Sequence, residues 1–290
     1  MSLQLLVNGS AAGAVIAISA MGFALVSGTT KGLHLAHGAV VVAGGLVAIL
    51  LARQFLLAPV VAIAIAAACC ACVGMAIERV VYWPLSRGSA SRSTLLLASL
   101  GVHLTLTGIL AVLFGQTSQF LQAQADATRI GDAFLARMQQ IQLLFGIGIG
   151  ASVVILLRYT GFGQLLRAQA DDPELFAIVG GRPRRIRLVA AALGSALAGT
   201  AGALIGLDVG MDAQYGLGAS ITAAVATMVA GPNLTAWPVL SGVSIGLLQA
   251  GVGAVIAAKW VGSVTYALLV VFLLRRSSLV RRAFMNEGRL

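Results

Sequence analysis

Apolar residues along this chain neither mark one stripe of a helix nor alternate; they fill unbroken runs separated by short polar stretches. A run of about 20 residues is the length a helix needs to cross roughly 30 Å of hydrocarbon. On that basis the runs predict helical spans near 5–28, 34–52, 55–76, 94–115, 140–158, 188–208, 217–231, 237–257 and 260–275. Membrane barrels alternate over segments of about 10 residues, so long unalternating runs of Ala, Leu, Val and Gly argue for helices. The expected fold class is all-α, a polytopic transmembrane bundle of eight to ten helices with residues 1–290 as one domain. Short or glycine-interrupted segments such as 217–231 are candidates for half-helices that enter without crossing.

Within the spans, small residues recur at every fourth position: Gly194, Ala198, Gly202 and Gly206 in one, Gly242, Gly246, Ala250 and Ala254 in another. Lipid supplies little hydrophobic drive between helices, so stripes of small residues that let backbones approach are a principal source of association.

The polar stretches set the orientation. Arg79, Arg87 and Arg92 fall in one loop, Arg158, Arg167, Arg182, Arg184, Arg185 and Arg187 around another, and Arg275, Arg276, Arg281, Arg282 and Arg289 at the C-terminal end. Short basic loops face the cytoplasm. Near 116–139, Arg129 and Arg137 are balanced by Asp126 and Asp132, and alternation of the spans assigns that loop to the opposite side. Nine crossings then place the N-terminus outside and the C-terminus in the cytoplasm. No Lys or Arg precedes Lys31, so the first run lacks the basic start of a cleaved signal peptide and reads as a retained span.

The longest polar cytoplasmic stretch, 159–187, has readable internal structure. Asp172 suits an N-cap, Pro173 the first helical position and Glu174 the positive end of the helix dipole, while Gly180 and Gly181 offer a C-terminal stop. Leu175, Phe176, Ile178 and Val179 give the helix predicted over 172–180 an apolar surface. Such a surface either docks a partner or tucks against the bundle.

Composition agrees with the spans. Hydrophobic residues make up 59% and charged residues 10%, and the mean hydropathy is +0.97, where soluble proteins carry about a quarter charged residues. The net charge of +10 sits in loops, a pattern of membrane topology rather than of nucleic-acid binding. Cys69, Cys70 and Cys72 share one apolar run without His or carboxylate, and read as small packing residues rather than a metal site. GTTKG at 28–32 lacks the Gly-Lys-Ser/Thr arrangement of a phosphate loop, and neither HExxH nor GxSxG occurs, so no catalytic residue is expected.

Taken in order, several motifs carry a resemblance: LVNG at 6–9, MGFALVSG at 21–28, LAHG at 35–38, IERVVYWPL at 77–85, LASLG at 97–101, GFGQLLRAQADDPELFAIVG at 161–180 and LAGTAGALIG at 197–206. Over nearly its whole length the chain resembles the permease subunits of branched-chain amino acid ABC importers, the Liv-type permeases, and is more similar to the shorter of the two paired permeases. The resemblance implies a subunit of the bacterial inner membrane that passes a small polar solute: branched-chain amino acids or a related amino acid, amide or urea. It further implies two ABC ATPase subunits that hold ATP and Mg, a second related permease or second copy, an external solute-binding protein, and no cofactor in this chain. The segment 161–180 then includes the element that docks on the ATPase, with Asp172, Glu174, Leu175, Phe176 and Gly180 at the contact and Arg167 orienting the preceding segment. Departures from the family pattern, at His34-Leu35, at Gly180-Gly181 and at 230–232, leave the fold untouched and bear on the substrate.

Polar residues within apolar spans are costly and so become candidates for function. His37 lies either on a solute pathway or at the cytoplasmic interface. His103, beside Thr105 and Thr107, either lines a cavity or is satisfied by a neighbouring helix. Asn8, near the outer end of the first span, is a further pathway candidate. Asp208, Asp212, Gln214 and Tyr215 form either an external docking surface or a solvated turn. The competing reading is a stand-alone channel or secondary transporter for a small neutral solute. Ion-driven carriers ordinarily bury a carboxylate deep in a span, and here the spans hold only Asp208, at an end.

Overall fold

A computed structural model of the chain describes residues 3–88, 91–121, 127–231, 237–257, 260–263, 265–268, 270–271 and 274. Its helices are α1 (Leu3–Thr30), α2 (Ala36–Gln54), α3 (Pro59–Ile77), α4 (Trp83–Arg87), α5 (Arg92–Phe114), α6 (Arg137–Tyr159), α7 (Gly161–Asp171), α8 (Pro173–Ile178), α9 (Pro183–Val209), α10 (Tyr215–Ala230) and α11 (Trp237–Gly253). Among the described residues, six segments are long and apolar enough to cross a membrane: α1, α2, α5, α6, α9 and the continuous stretch from α3 through α4. The chain is a multi-pass helical membrane protein.

Burial sorts these spans into centre and periphery. In α1, α2 and α9, 83%, 72% and 67% of the most apolar window is buried, against 33% or less in α3–α4, α5 and α6. The first three therefore form the core, and the others turn large apolar side chains such as Leu97, Val112, Leu144 and Ile147 outward. The small-residue stripes account for the arrangement. Gly194 on α9 packs against the Gly22 carbonyl of α1, Gly202 against the Val41 carbonyl of α2, and Gly206 against Gly45. On α11, Gly242 meets Ala17 and Gly246 meets Gly13, both on α1. Ala254, expected to extend that stripe, lies beyond the end of α11.

α10 and α11 have 16 and 17 residues. At 1.5 Å per residue each rises about 25 Å, short of a full hydrocarbon crossing. The expected span 217–231 corresponds to α10, and 260–275 falls partly outside the described residues, as do the C-terminal arginines. Two local departures from the expected pattern occur. In the polar loop after α5, β1 (Ala127–Ile130) and β2 (Ala133–Ala136) pair as an antiparallel hairpin. Its two-residue turn places Gly131 at φ 60°, the left-handed geometry such turns require. The second departure is a π-turn at Glu78–Tyr82 between α3 and α4. Such turns appear where an extra residue is held by a local constraint. Here buried Glu78 meets buried Arg187 of α9, with Nε 2.7 Å from Oε1. The N–H is not aligned for a hydrogen bond, so the contact is an ion pair. The Arg184 and Arg187 guanidiniums also stand 5.8 and 5.6 Å from the centre of the Trp83 ring.

Candidate functional site

Between α1, α2, α6, α9, α10 and α11 the bundle encloses a cavity of about 580 Å³, a volume suited to a small solute. It opens at the end of the bundle where α1 begins and α9 ends. That end is polar, with Asn8 from α1, Gln139 and Gln142 from α6 and Asp208 from α9, while Gln214 and Tyr215 line the cavity where α10 starts. Deeper walls are apolar: Ala11, Val15 and Ile16 of α1, Ile205 of α9, Ala219 and Ala223 of α10. Ser19 and Val41 also line it.

Several polar side chains around the cavity are held by one another. Asn8 Oδ1 accepts from Gln4 Nε2 at 2.9 Å and from Gln139 Nε2 at 3.1 Å. Gln142 is buried and donates to Asp208 Oδ2 at 2.9 Å. Gln249 Nε2 donates to Thr265 Oγ1 at 2.7 Å. Asp212 stands outside the cavity and caps α10, its Oδ1 accepting from the backbone N–H of Gln214 at 2.8 Å and of Tyr215 at 3.0 Å. Of the four residues read together as an outer docking group or a solvated turn, Asp208, Gln214 and Tyr215 line the cavity, and Asp212 shapes its rim.

Below the cavity runs a buried polar cluster. Ser19 Oγ lies 3.2 Å from His37 Nε2, and the His37 and Phe23 rings meet nearly perpendicular with centroids 5.5 Å apart. His34 Nδ1 lies 2.8 Å from Tyr82 Oη. Ser220 on α10 accepts from the Gly38 N–H and donates to the Leu35 carbonyl, both at 2.7 Å, pinning α10 to the start of α2. His37 is therefore enclosed, one side chain beneath the cavity, and not solvated at an interface. His103 is buried against Gly216 and does not line the cavity. The pathway and docking candidates drawn from the sequence do not include Ser19, His34, Gln139, Gln142 and Gln249, and His34 stands there only as a departure from the family pattern. Gln142 and Gln249, amides inside apolar runs, carry the same signal that marks the histidines.

At the opposite end of the bundle lies the segment α7–α8. Asp172 Oδ1 accepts from the backbone N–H groups of Glu174 and Leu175, both at 3.0 Å, and so caps α8. Gly180, at φ 88°, ends it: Gly181 N–H bonds the Phe176 carbonyl and Gly180 N–H the Ala177 carbonyl, closing a Schellman turn. Phe176, expected on the contact surface, is instead 5% exposed and packs into the core, with its ring against Gly181. Leu175, Ile178 and Val179 stay 55%, 80% and 72% exposed. One apolar face of α8 thus tucks inward while the other faces out. Arg167 is half-buried, with its Nε unpaired.

A membrane-spanning bundle that encloses a solute-sized cavity, polar at one end and apolar within, fits a permease. The chain belongs to the family of branched-chain amino acid transport system permease components, whose pattern matches residues 5–273. It is 25% identical to the high-affinity branched-chain amino acid transport system permease protein LivH of Escherichia coli K12, over 94% of this chain and 92% of that one. It is 27% identical to BraD of Pseudomonas aeruginosa, a permease protein described in the same terms, over 94% of both chains. With a probable branched-chain amino acid transport permease protein LivH of Methanocaldococcus jannaschii it shares 30% identity over 66% of this chain and 62% of the relative. No solved structure matches it.

Proposed function

We propose that this chain is the translocation subunit of an ATP-driven importer in the bacterial inner membrane, and that its cavity is the outward-facing part of the path for a branched-chain amino acid or a related small solute. The observation that carries the reading is the cavity itself, open at one end of the bundle and closed below by Ser19, His37 and Phe23. Orientation follows from charge. Arg79, Arg87, Arg158, Arg182, Arg184, Arg185 and Arg187 gather at the end opposite the opening, and a basic end faces the cytoplasm. The opening then faces the external solute-binding protein, and the C-terminus lies inside.

Power comes from two separate ATPase subunits that hold ATP and Mg. They engage the exposed face of α8, namely Leu175, Ile178 and Val179, presented by the Asp172 cap and the Gly180 turn. Phe176 anchors the helix to the bundle, so motion of the ATPase is passed to the core helices rather than lost in a loose loop. A second, related permease or a second copy of this chain completes the membrane part.

The cavity assignment is tested with Thr222→Cys, a position on its wall, after Cys69, Cys70 and Cys72 are replaced by alanine. A charged, membrane-impermeant thiol reagent added from outside blocks uptake through the assembled importer, and the substrate slows the labelling. Full uptake after complete labelling would refute the path.

A further inference from the structure

The cavity's lining holds many uncharged groups and, among the described residues, one that carries charge: Asp208. It sits at the last turn of α9, half-buried, with Gln142 donating to its Oδ2. Gln142 is itself 4% exposed and also approaches the Leu204 carbonyl at 3.4 Å, so a buried amide fixes the direction of the carboxylate. The cavity's other polar lining groups are amides and hydroxyls, Asn8, Gln139 and Tyr215 among them, and among the described residues none that lines it is a Lys, Arg or His. A half-desolvated carboxylate in an otherwise uncharged chamber selects strongly for positive charge, because the interaction is weakly screened there and no cation among the described lining residues competes.

The neighbouring surfaces narrow the class of ligand. A divalent metal ion requires six or more oxygen ligands or a cluster of several acidic or histidine side chains. No group of three or more such residues occurs among the described residues. The deeper walls of Ala, Val and Ile residues favour an apolar body. A wholly neutral solute such as urea gains nothing that a glutamine at this position would not supply. A small molecule with an ammonium group at one end and a branched hydrocarbon at the other matches both surfaces.

We propose that Asp208 is a specificity residue of the cavity, accepting the ammonium group of an amino acid whose side chain then lies against the apolar wall. This rests on the reading of the cavity as the solute path, and it assigns the choice between zwitterionic amino acids and neutral amides to this chain as well as to an external binding protein.

The test is equilibrium binding to the full-length chain in lipid nanodiscs, with leucine, leucinamide, 4-methylpentanoate and urea as probes. In the wild-type chain, leucine and leucinamide bind, and 4-methylpentanoate, which lacks the ammonium group, binds at least about 10-fold more weakly, as expected for loss of a hydrogen bond to a charged group. Asp208→Asn, which keeps the shape and one acceptor, weakens leucine by about 10- to 100-fold and tightens 4-methylpentanoate, whose carboxylate no longer faces a like charge. Equal binding of leucine and 4-methylpentanoate by the wild-type chain would overturn the assignment without any variant, as would preferential binding of urea or the absence of leucine binding. Unaltered leucine binding by a folded Asp208→Asn protein would do so too. The importer reading is judged separately, by ATP-dependent uptake through the assembled wild-type complex: uptake with no dependence on Asp208 refutes the specificity role alone.

Discussion

Replacing Gly202 by alanine tests the packing of the core most sharply, because the same substitution carries opposite signs at different places in this chain. A methyl group on Gly202 would overlap the Val41 carbonyl oxygen, and would lie 2.7 Å from the Val41 carbonyl carbon and 3.1 Å from the Gly45 nitrogen. All three are backbone atoms of α2, which no rotamer change can move aside. The two helices must part by about 1 Å, and overpacking of this kind costs about 1–3 kcal/mol, with further loss of dispersion along the seam. Against it stands the helix-forming advantage of alanine, about 1 kcal/mol at most. At Gly101, on the outer side of α5, a methyl group meets nothing within 4 Å, so only the favourable part remains. The apparent melting temperature, read by fluorescence-detected size exclusion, is expected to fall by about 2–6 °C for Gly202→Ala and to hold or rise slightly for Gly101→Ala. Equal shifts for the two variants would refute the argument that α2 and α9 are in backbone contact.

Three further outcomes follow from named contacts. Arg187→Met leaves the Glu78 carboxylate buried without its cation and costs about 3–5 kcal/mol, most of which returns in the Glu78→Gln/Arg187→Met double variant; a thermal double-mutant cycle with no coupling would contradict the pair. Asp172→Ala removes the acceptor for two backbone N–H groups and costs about 1 kcal/mol locally, seen as faster hydrogen exchange in α8 with the spans unchanged. Leu175→Asp combined with Ile178→Asp leaves membrane insertion intact but abolishes copurification of the ATPase subunits, whereas Phe176→Asp lowers the stability of the permease itself; the reverse pattern would exchange the inner and outer faces of α8.

Features specified by a few neighbouring residues are legible in the sequence, and those set by the meeting of distant spans are not. Asp172-Pro173-Glu174 and Gly180-Gly181 specify a helix start and stop within a short stretch, and the cap and turn form where the sequence places them. The spacing of Gly194, Ala198, Gly202 and Gly206 encodes a helix face independently of what packs on it. What faces that seam is another matter: Val41 and Gly45 meet it only after two distant spans come together. The same holds for Gln142 with Asp208 and for Glu78 with Arg187, pairs set by tertiary packing with no trace in spacing. Phe176 shows the limit within one short helix. Four apolar residues in and just after α8 announce a buried face, but six helical residues give too little periodicity to say which of them turns inward. The cavity lining is partly legible, since Asn8, Asp208, Gln214 and Tyr215 stand out as polar at span ends; the amides inside the spans complete it.

The central claim, a permease that moves its solute only when driven by a separate ATPase, is tested most directly by leucine uptake into proteoliposomes. Vesicles that hold the complete assembly, supplied with the solute-binding protein on the side of the cavity opening and ATP on the other, are expected to accumulate leucine. Vesicles that hold this chain alone, or the assembly without ATP, are expected to take up none above the lipid background. Leucine or urea equilibrating through the chain alone would contradict the account and establish a channel in its place.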